Sequence, residues 1–212
     1  MSTINNSKYV QYGCGRCAPP HWRNFDASMT LRFERIPVLG KLYTKNDVRF
    51  PENVAYGDII KGLPVADNSC HAVYCSHVLE HMSLGECQQA LRNTFRMIES
   101  GGTFRFVLPD LEYYIQQYNQ DSSPEASKNL MKITQLGFER KPRSFKSFLY
   151  EWLRTSAHLW MWDYKSMEQE LKNVGFVAVR RAQFNDSQDE AFLAVEAKNR
   201  WDNCLGMECR KP

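Results

Sequence analysis

Apolar residues in this chain fall into short runs, each closed by a polar or glycine-bearing turn. Tyr9-Val10-Gln11-Tyr12 stops at Gly13-Cys14-Gly15, Trp22–Phe25 at Asp26, and Asn53–Tyr56 at Gly57-Asp58. His71–Cys75 ends at Ser76-His77, and Thr103–Leu108 at Pro109-Asp110. Such runs predict a parallel sheet with its chemistry along the carboxyl edge. Between the fourth and fifth runs the period changes. Ser83-Leu84-Gly85-Glu86 is a capping box, and Leu84, Cys87, Leu91, Phe95 and Ile98 follow near the helical period. Gly101-Gly102 is expected to stop that helix. A second helix is predicted from about Ser166, in the capping box Ser166–Gln169, to Val174, with Gly175 as its stop. Phe176–Val179 and Ala191–Val195 read as two more strands joined by the polar stretch 185–190, so the sheet should end in one antiparallel strand.

Composition adds bounds. A chain of 212 residues with 43% hydrophobic and 24% charged positions suits a single domain, taken as 1–212. A net charge of +3 is too small to argue for nucleic acid, which is not expected as a partner. No apolar run approaches the roughly 20 residues of a membrane span. Met1–Lys8 is polar, so a cytoplasmic location is expected. Seven scattered cysteines suit reduced thiols, and Cys14-x-x-Cys17 lacks the second such pair a zinc ribbon needs. From about 119 to 156 the periodicity weakens. Lys128, Lys132, Arg140, Lys141, Arg143, Lys146 and Arg154 outnumber the acidic residues there, as in a solvated basic face or a lid over an anionic substrate.

Gly13-Cys14-Gly15 lets backbone approach a ligand after the first strand. A dinucleotide would also need a following helix, whose N-terminus neutralises the pyrophosphate. Pro19-Pro20 breaks that helix, and Asp26 stands only 11 residues after Gly15, against about 20 in the dinucleotide fingerprint. A cofactor with a ribose and no phosphate tolerates this. Asp26 suits a ribose diol, Asp58 an exocyclic amine, and Ile59 the face of a base.

Tyr12-Gly13-Cys14-Gly15, Trp22–Asp26 and Tyr56-Gly57-Asp58-Ile59 resemble the front half of a class I S-adenosylmethionine-dependent methyltransferase of the type-11 group. Leu63–Ser69 with Val73–His81 is similar to that family's fourth-strand region, and Gly101–Arg105 with Leu108–Leu111 to its fifth. His158–Asp163 with Gly175-Phe176 resembles a subgroup associated with bacterial surface-polysaccharide synthesis. The resemblance spans about 9–197. It implies a Rossmann-like α/β fold: seven strands, mostly parallel, the last antiparallel, with a shortened N-terminal part. It implies S-adenosyl-L-methionine as cofactor, held by Tyr12, Gly13, Cys14 and Gly15 at the methionine end, Asp26 at the ribose, and Gly57, Asp58 and Ile59 at the adenine. Ser76 and His77 would border the sulfonium. The acceptor would be a small molecule or saccharide, in free, phosphorylated or lipid-linked form.

Methyl transfer is an in-line displacement that a general base assists when the acceptor is a hydroxyl. His77 and His158 are the candidate catalytic residues, with Trp160 and Trp162 as stacking faces or core. Asp110 reads as a helix N-cap. His77-Val78-Leu79-Glu80-His81 also spells H-x-x-E-H, a zinc-protease signature. That reading needs the motif on a helix, whereas the predicted helix starts at Ser83. With His158, the stretch is also similar to the metal-binding E-x-x-E-H of small-RNA 2′-O-methyltransferases, but His77 stands where the first glutamate belongs. No metal is therefore assigned from sequence. A cofactor-binding scaffold without turnover is the remaining alternative.

Overall fold

The computed structural model describes residues 7–37, 48–137 and 157–212. Seven strands form one sheet: β1 (Tyr9–Tyr12), β2 (Arg23–Asp26), β3 (Val54–Tyr56), β4 (Cys70–Ser76), β5 (Ile98–Pro109), β6 (Val177–Ala182) and β7 (Cys204–Arg210). Their order is β3-β2-β1-β4-β5-β7-β6. The first five pair in parallel, and β7 lies antiparallel between β5 and β6. Helices are α1 (Met29–Glu34), α2 (Leu84–Met97), α3 (Leu111–Gln120), α4 (Ala126–Ile133) and α5 (Tyr164–Val174). No helix among the described residues is long and apolar enough to cross a membrane.

Alternation along the strands sends side chains to two faces. One face carries Val10, Tyr12, Val73, Cys75, Phe104 and Phe106 and joins the core that Cys87, Ala90 and Leu91 of α2 and Met167 and Leu171 of α5 complete. The other carries Ala72, Tyr74 and Val107. As Pro19-Pro20 predicts, no helix follows β1. That face is instead buried by Phe192, Val195 and Trp201 from the connection between β6 and β7, together with Trp22. Trp22 donates its indole N–H to Ala191 O at 3.3 Å.

Four expectations need correction. Ala191–Val195 is not a strand; Glu190–Ala194 forms a 3-10 turn capped by Asp189, which accepts from Ala191 N. Buried Phe192 and Val195 are three residues apart, the repeat of a 3-10 turn rather than the two-residue repeat of a strand. The antiparallel strand is Cys204–Arg210, so the β6–β7 link is a long connection and not a short hairpin. Helix α2 ends at Met97, ahead of Gly101-Gly102, because Ile98 already pairs with Cys70 of β4. Helix α5 starts two residues before Ser166: Asp163 is its N-cap and accepts from Ser166 N at 2.8 Å. Gly175, left-handed at φ 114°, closes α5 as expected.

Candidate active site

Strand register builds the site. Tyr12 pairs with Phe25 on one side and Cys75 on the other. The next residues, Gly13, Asp26 and Ser76, therefore share one level at the carboxyl edge, where the strand order reverses at β1. Asp26 in turn pairs with Tyr56, which places Gly57 and Asp58 beyond it.

Gly13 has φ +63°, and a Cβ there would lie 2.2 Å from Val78 Cγ2. The exit from β4 thus rests directly on the glycine turn. Gly15, at φ +54°, has nothing within 4 Å of a would-be Cβ and leaves an open cradle. Its N–H donates to Asp26 Oδ2 at 2.9 Å, and Ser28 N donates to Oδ1 at 2.8 Å. Each oxygen of this buried carboxylate keeps a further lone pair for a ribose hydroxyl. A cavity of about 340 Å³ opens beside the turn, lined by Gly13–Cys17, Ser76, Asn199 and Arg200 among others. The open cradle, the acidic acceptor and the cavity fit S-adenosylmethionine.

Other assignments shift in detail. The Tyr12 ring is buried on the α2 side, its hydroxyl 3.3 Å from Thr94 Oγ1, so Tyr12 serves the site by placing Gly13. The Ile59 side chain is buried in the core, so it does not offer its side chain to a base. Asp58 Oδ1 accepts from Ile60 N at 3.0 Å, and its other oxygen lies 3.5 Å from Lys61 Nζ. Cys14 is buried, and desolvation pushes its thiol far up.

Arg200 is the residue that sequence reading missed. Its guanidinium donates to Ser76 Oγ at 3.2 Å and Ser76 O at 3.1 Å. Its carbonyl lies 2.9 Å from His77 Nε2. Only the β6–β7 connection brings it there, and no motif marks it.

His77 sits at φ +54°, a strained backbone for a non-glycine residue at the strand exit. Its Nδ1 is 3.2 Å from Glu80 Oε1. Burial lowers the His77 pKa, but the contacts with Cys204, Glu80 and the Arg200 carbonyl outweigh it and raise the value to about 9. With both nitrogens engaged, His77 is poorly suited to act as a base. Leu79–His81 is a 3-10 turn, and the helix begins at Leu84, so H-x-x-E-H does not present its residues as a helical protease motif. Ser83 and Glu86 do form the predicted capping contacts.

His158 comes from a distant segment but is held close. Leu159 N and Trp160 N donate to Glu80 O at 2.7 and 3.2 Å. The rings of His158 and His81 stand 4.9 Å apart. Burial holds the His158 pKa below its ordinary value. Trp162 is buried in the core, whereas Trp160 is exposed. Asp110 caps α3, accepting from Glu112 N. Of the basic stretch, Arg140, Lys141, Arg143, Lys146 and Arg154 lie outside the described residues.

Residues 27–106 match the family model described as a methyltransferase domain. No curated protein sequence matches the chain. Among solved structures, an S-adenosylmethionine-dependent methyltransferase from Archaeoglobus fulgidus superposes with a TM-score of 0.52 at 14% identity, covering 98% of this chain and 88% of that one. Another from Thermotoga maritima gives 0.53 at 12% identity, covering 96% and 81%. Phosphoethanolamine N-methyltransferase 2 of Haemonchus contortus, solved with S-adenosylmethionine, gives 0.50 at 14% identity, covering 99% of this chain and 50% of that one. The fold is the Rossmann-like class I methyltransferase fold. The match over residues 27–106 and the fold both liken this chain to methyltransferases.

Proposed function

We propose that the protein transfers the sulfonium methyl group of S-adenosylmethionine to a hydroxyl of a small molecule, a saccharide or its phosphorylated or lipid-linked form. The observation that carries the site assignment is the alignment of Gly13, Asp26 and Ser76 on one edge, closed by Arg200. In this reading Gly13, Cys14 and Gly15 cradle the methionine end, and Asp26 accepts from the ribose hydroxyls. Asp58 accepts from the adenine amine, and Ser76 and His77 border the sulfonium.

The reaction breaks the methyl–sulfur bond as the acceptor oxygen forms its bond to the same carbon, and the acceptor proton goes to a base. Glu80, in contact with His77, and His158 supply basic groups behind that edge. Exposed Trp160, beside this cluster in sequence, offers a flat face of the kind that stacks on a sugar ring. The basic stretch within 119–156 would act as a lid suited to a phosphate.

Tritiated-methyl transfer into fractionated cell extract, followed by mass analysis of the product, tests the proposal. A labelled O-methyl saccharide is the expected product. Labelled nitrogen would refute the oxygen assignment, and cofactor binding without any transfer would assign a scaffold.

A further inference from the structure

The Glu80 carboxylate is fully buried, yet neither of its oxygens has a hydrogen-bond partner of good geometry. The one close cationic neighbour among the described residues, His77, meets a single oxygen, and a buried carboxylate left with a bare oxygen gathers further cations or binds an ion. His81 Nε2 is 3.9 Å from Oε1, and the buried His158 has an orphaned Nδ1. One ligand atom each from Glu80, His81 and His158 lies within 4.8 Å of the others. Ligand atoms at about 2.0–2.2 Å from a tetrahedral ion stand about 3.3–3.6 Å apart, so side-chain shifts of about an ångström or less draw the set together.

His81 is already oriented by the chain. His81 Nδ1 lies 3.1 Å from Ala157 O and donates to it, which leaves Nε2 as a lone pair. His158 Nδ1 is buried without a hydrogen-bond partner and can offer its lone pair. Imidazoles oriented by carbonyl acceptors are how proteins present histidine to a metal.

We propose that Glu80, His81 and His158 bind one divalent first-row transition ion. Two imidazoles and one carboxylate suit Zn²⁺, Co²⁺, Mn²⁺ or Fe²⁺ rather than Mg²⁺ or Ca²⁺, which take oxygen ligands. Three protein ligands leave positions open for water or an acceptor oxygen. The ion pins the segment beginning at Ala157 to the exit of β4. Its use in activating a hydroxyl rests on the methyl-transfer reading above; the ion site itself does not.

The test takes the full chain, free of any affinity tag and stripped with chelator, and titrates it with Co²⁺ and with Zn²⁺. Visible absorption, bound-metal analysis and thermal denaturation report binding. One equivalent is expected, with a rise in Tm of about 5–10 °C at a hundredfold excess over Kd. Glu80→Gln and His158→Gln should each weaken binding about 100-fold or more, whereas Cys14→Ser with Cys17→Ser should retain the ion. The proposal is overturned if wild-type protein binds no ion at 1 mM of either metal, or if the cysteine variant loses it. The wild-type count decides even where a ligand variant fails to fold. S-adenosylmethionine titration of the same stripped sample reads the cofactor separately, so failure of cofactor binding and failure of ion binding are distinguishable.

Discussion

Arg105 on β5 should be the most sensitive charged position in the molecule, and Arg105→Met tests why. Its guanidinium is fully buried on the face that lacks a helix. Nη1 donates to Asp186 Oδ1 at 2.9 Å and Glu208 Oε2 at 3.0 Å, Nη2 to Gln183 O at 2.6 Å, and Nε to Glu196. The Trp201 ring lies 4.7 Å from its central carbon. Arg180 also pairs with Asp186 and Glu208, so these two keep a cation when Arg105 is lost. Glu196 has no such second cation among the described residues. Its side chain is fully buried, and only Asn185 N remains as a donor, at 2.7 Å.

Removing one partner of a buried pair costs about 3–5 kcal/mol, because the other charge stays buried. In a domain of this size that is a fall in Tm of about 6–20 °C. The substitution also loosens the link between β6 and β7, which carries Arg200 and the cavity wall at Val195, Ala197 and Asn199. Affinity for S-adenosylmethionine should therefore fall together with stability. Urea and thermal denaturation measure the first effect, and calorimetric titration measures the second. Combining Arg105→Met with Glu196→Gln removes the stranded charge and should recover at least half of the lost stability. A single variant that loses under about 1 kcal/mol, or a double variant no more stable than the single, would refute the account.

Further predictions address the edge and the helix caps. Asp26→Ala should weaken S-adenosylmethionine binding by at least about tenfold, since a hydrogen bond donated to a charged acceptor contributes about 1.5–3 kcal/mol, and calorimetry checks it. Gly13→Ala should destabilise the protein and abolish cofactor binding through the collision with Val78; adding Val78→Ala should restore folding more than binding, as denaturation and titration would show. Asp163→Ala should cost about 1 kcal/mol of stability through loss of the α5 cap, measured in urea. The Asp163 carboxyl is held below the ordinary 3.8 by the Ser166 hydroxyl and backbone N–H. Its contribution is therefore present above pH 3.8 and lost as pH falls through the folded value, and a pH series comparing wild type with Asp163→Ala should show the difference vanish there.

Strand ends were legible to within a residue because each buried run gives way there to a glycine or polar position: Gly13 after Tyr12, Asp26 as the last residue of β2, and Ser76 as the last of β4. The missing helix after β1 was equally legible, since Pro19-Pro20 admits no helix interior. What replaces that helix was not. The link between β6 and β7 buries Phe192 and Val195 at a three-residue spacing that mimics a short apolar strand. The genuine strand, Cys204–Arg210, presents buried residues on both faces, and its Gly206 and Glu208 disguise it as a turn. Glu80 was legible only in part: the sequence ties it to His81 and His158 through an imperfect resemblance in which His77 stands where the first glutamate belongs, and spacing alone does not place a residue 78 positions away beside it. Folding brings His158 to it through two backbone N–H donors from Leu159 and Trp160. Arg200, which the sequence did not mark, and His158, which it did, both belong to late segments of the chain that cross back to the β4 edge. Arg200 and His158 thus meet the cofactor strand from opposite directions, with His77 between the Arg200 carbonyl and the Glu80 carboxylate. A perturbation at either segment should therefore be felt at His77, which links the β6–β7 connection to the cluster of Glu80, His81 and His158.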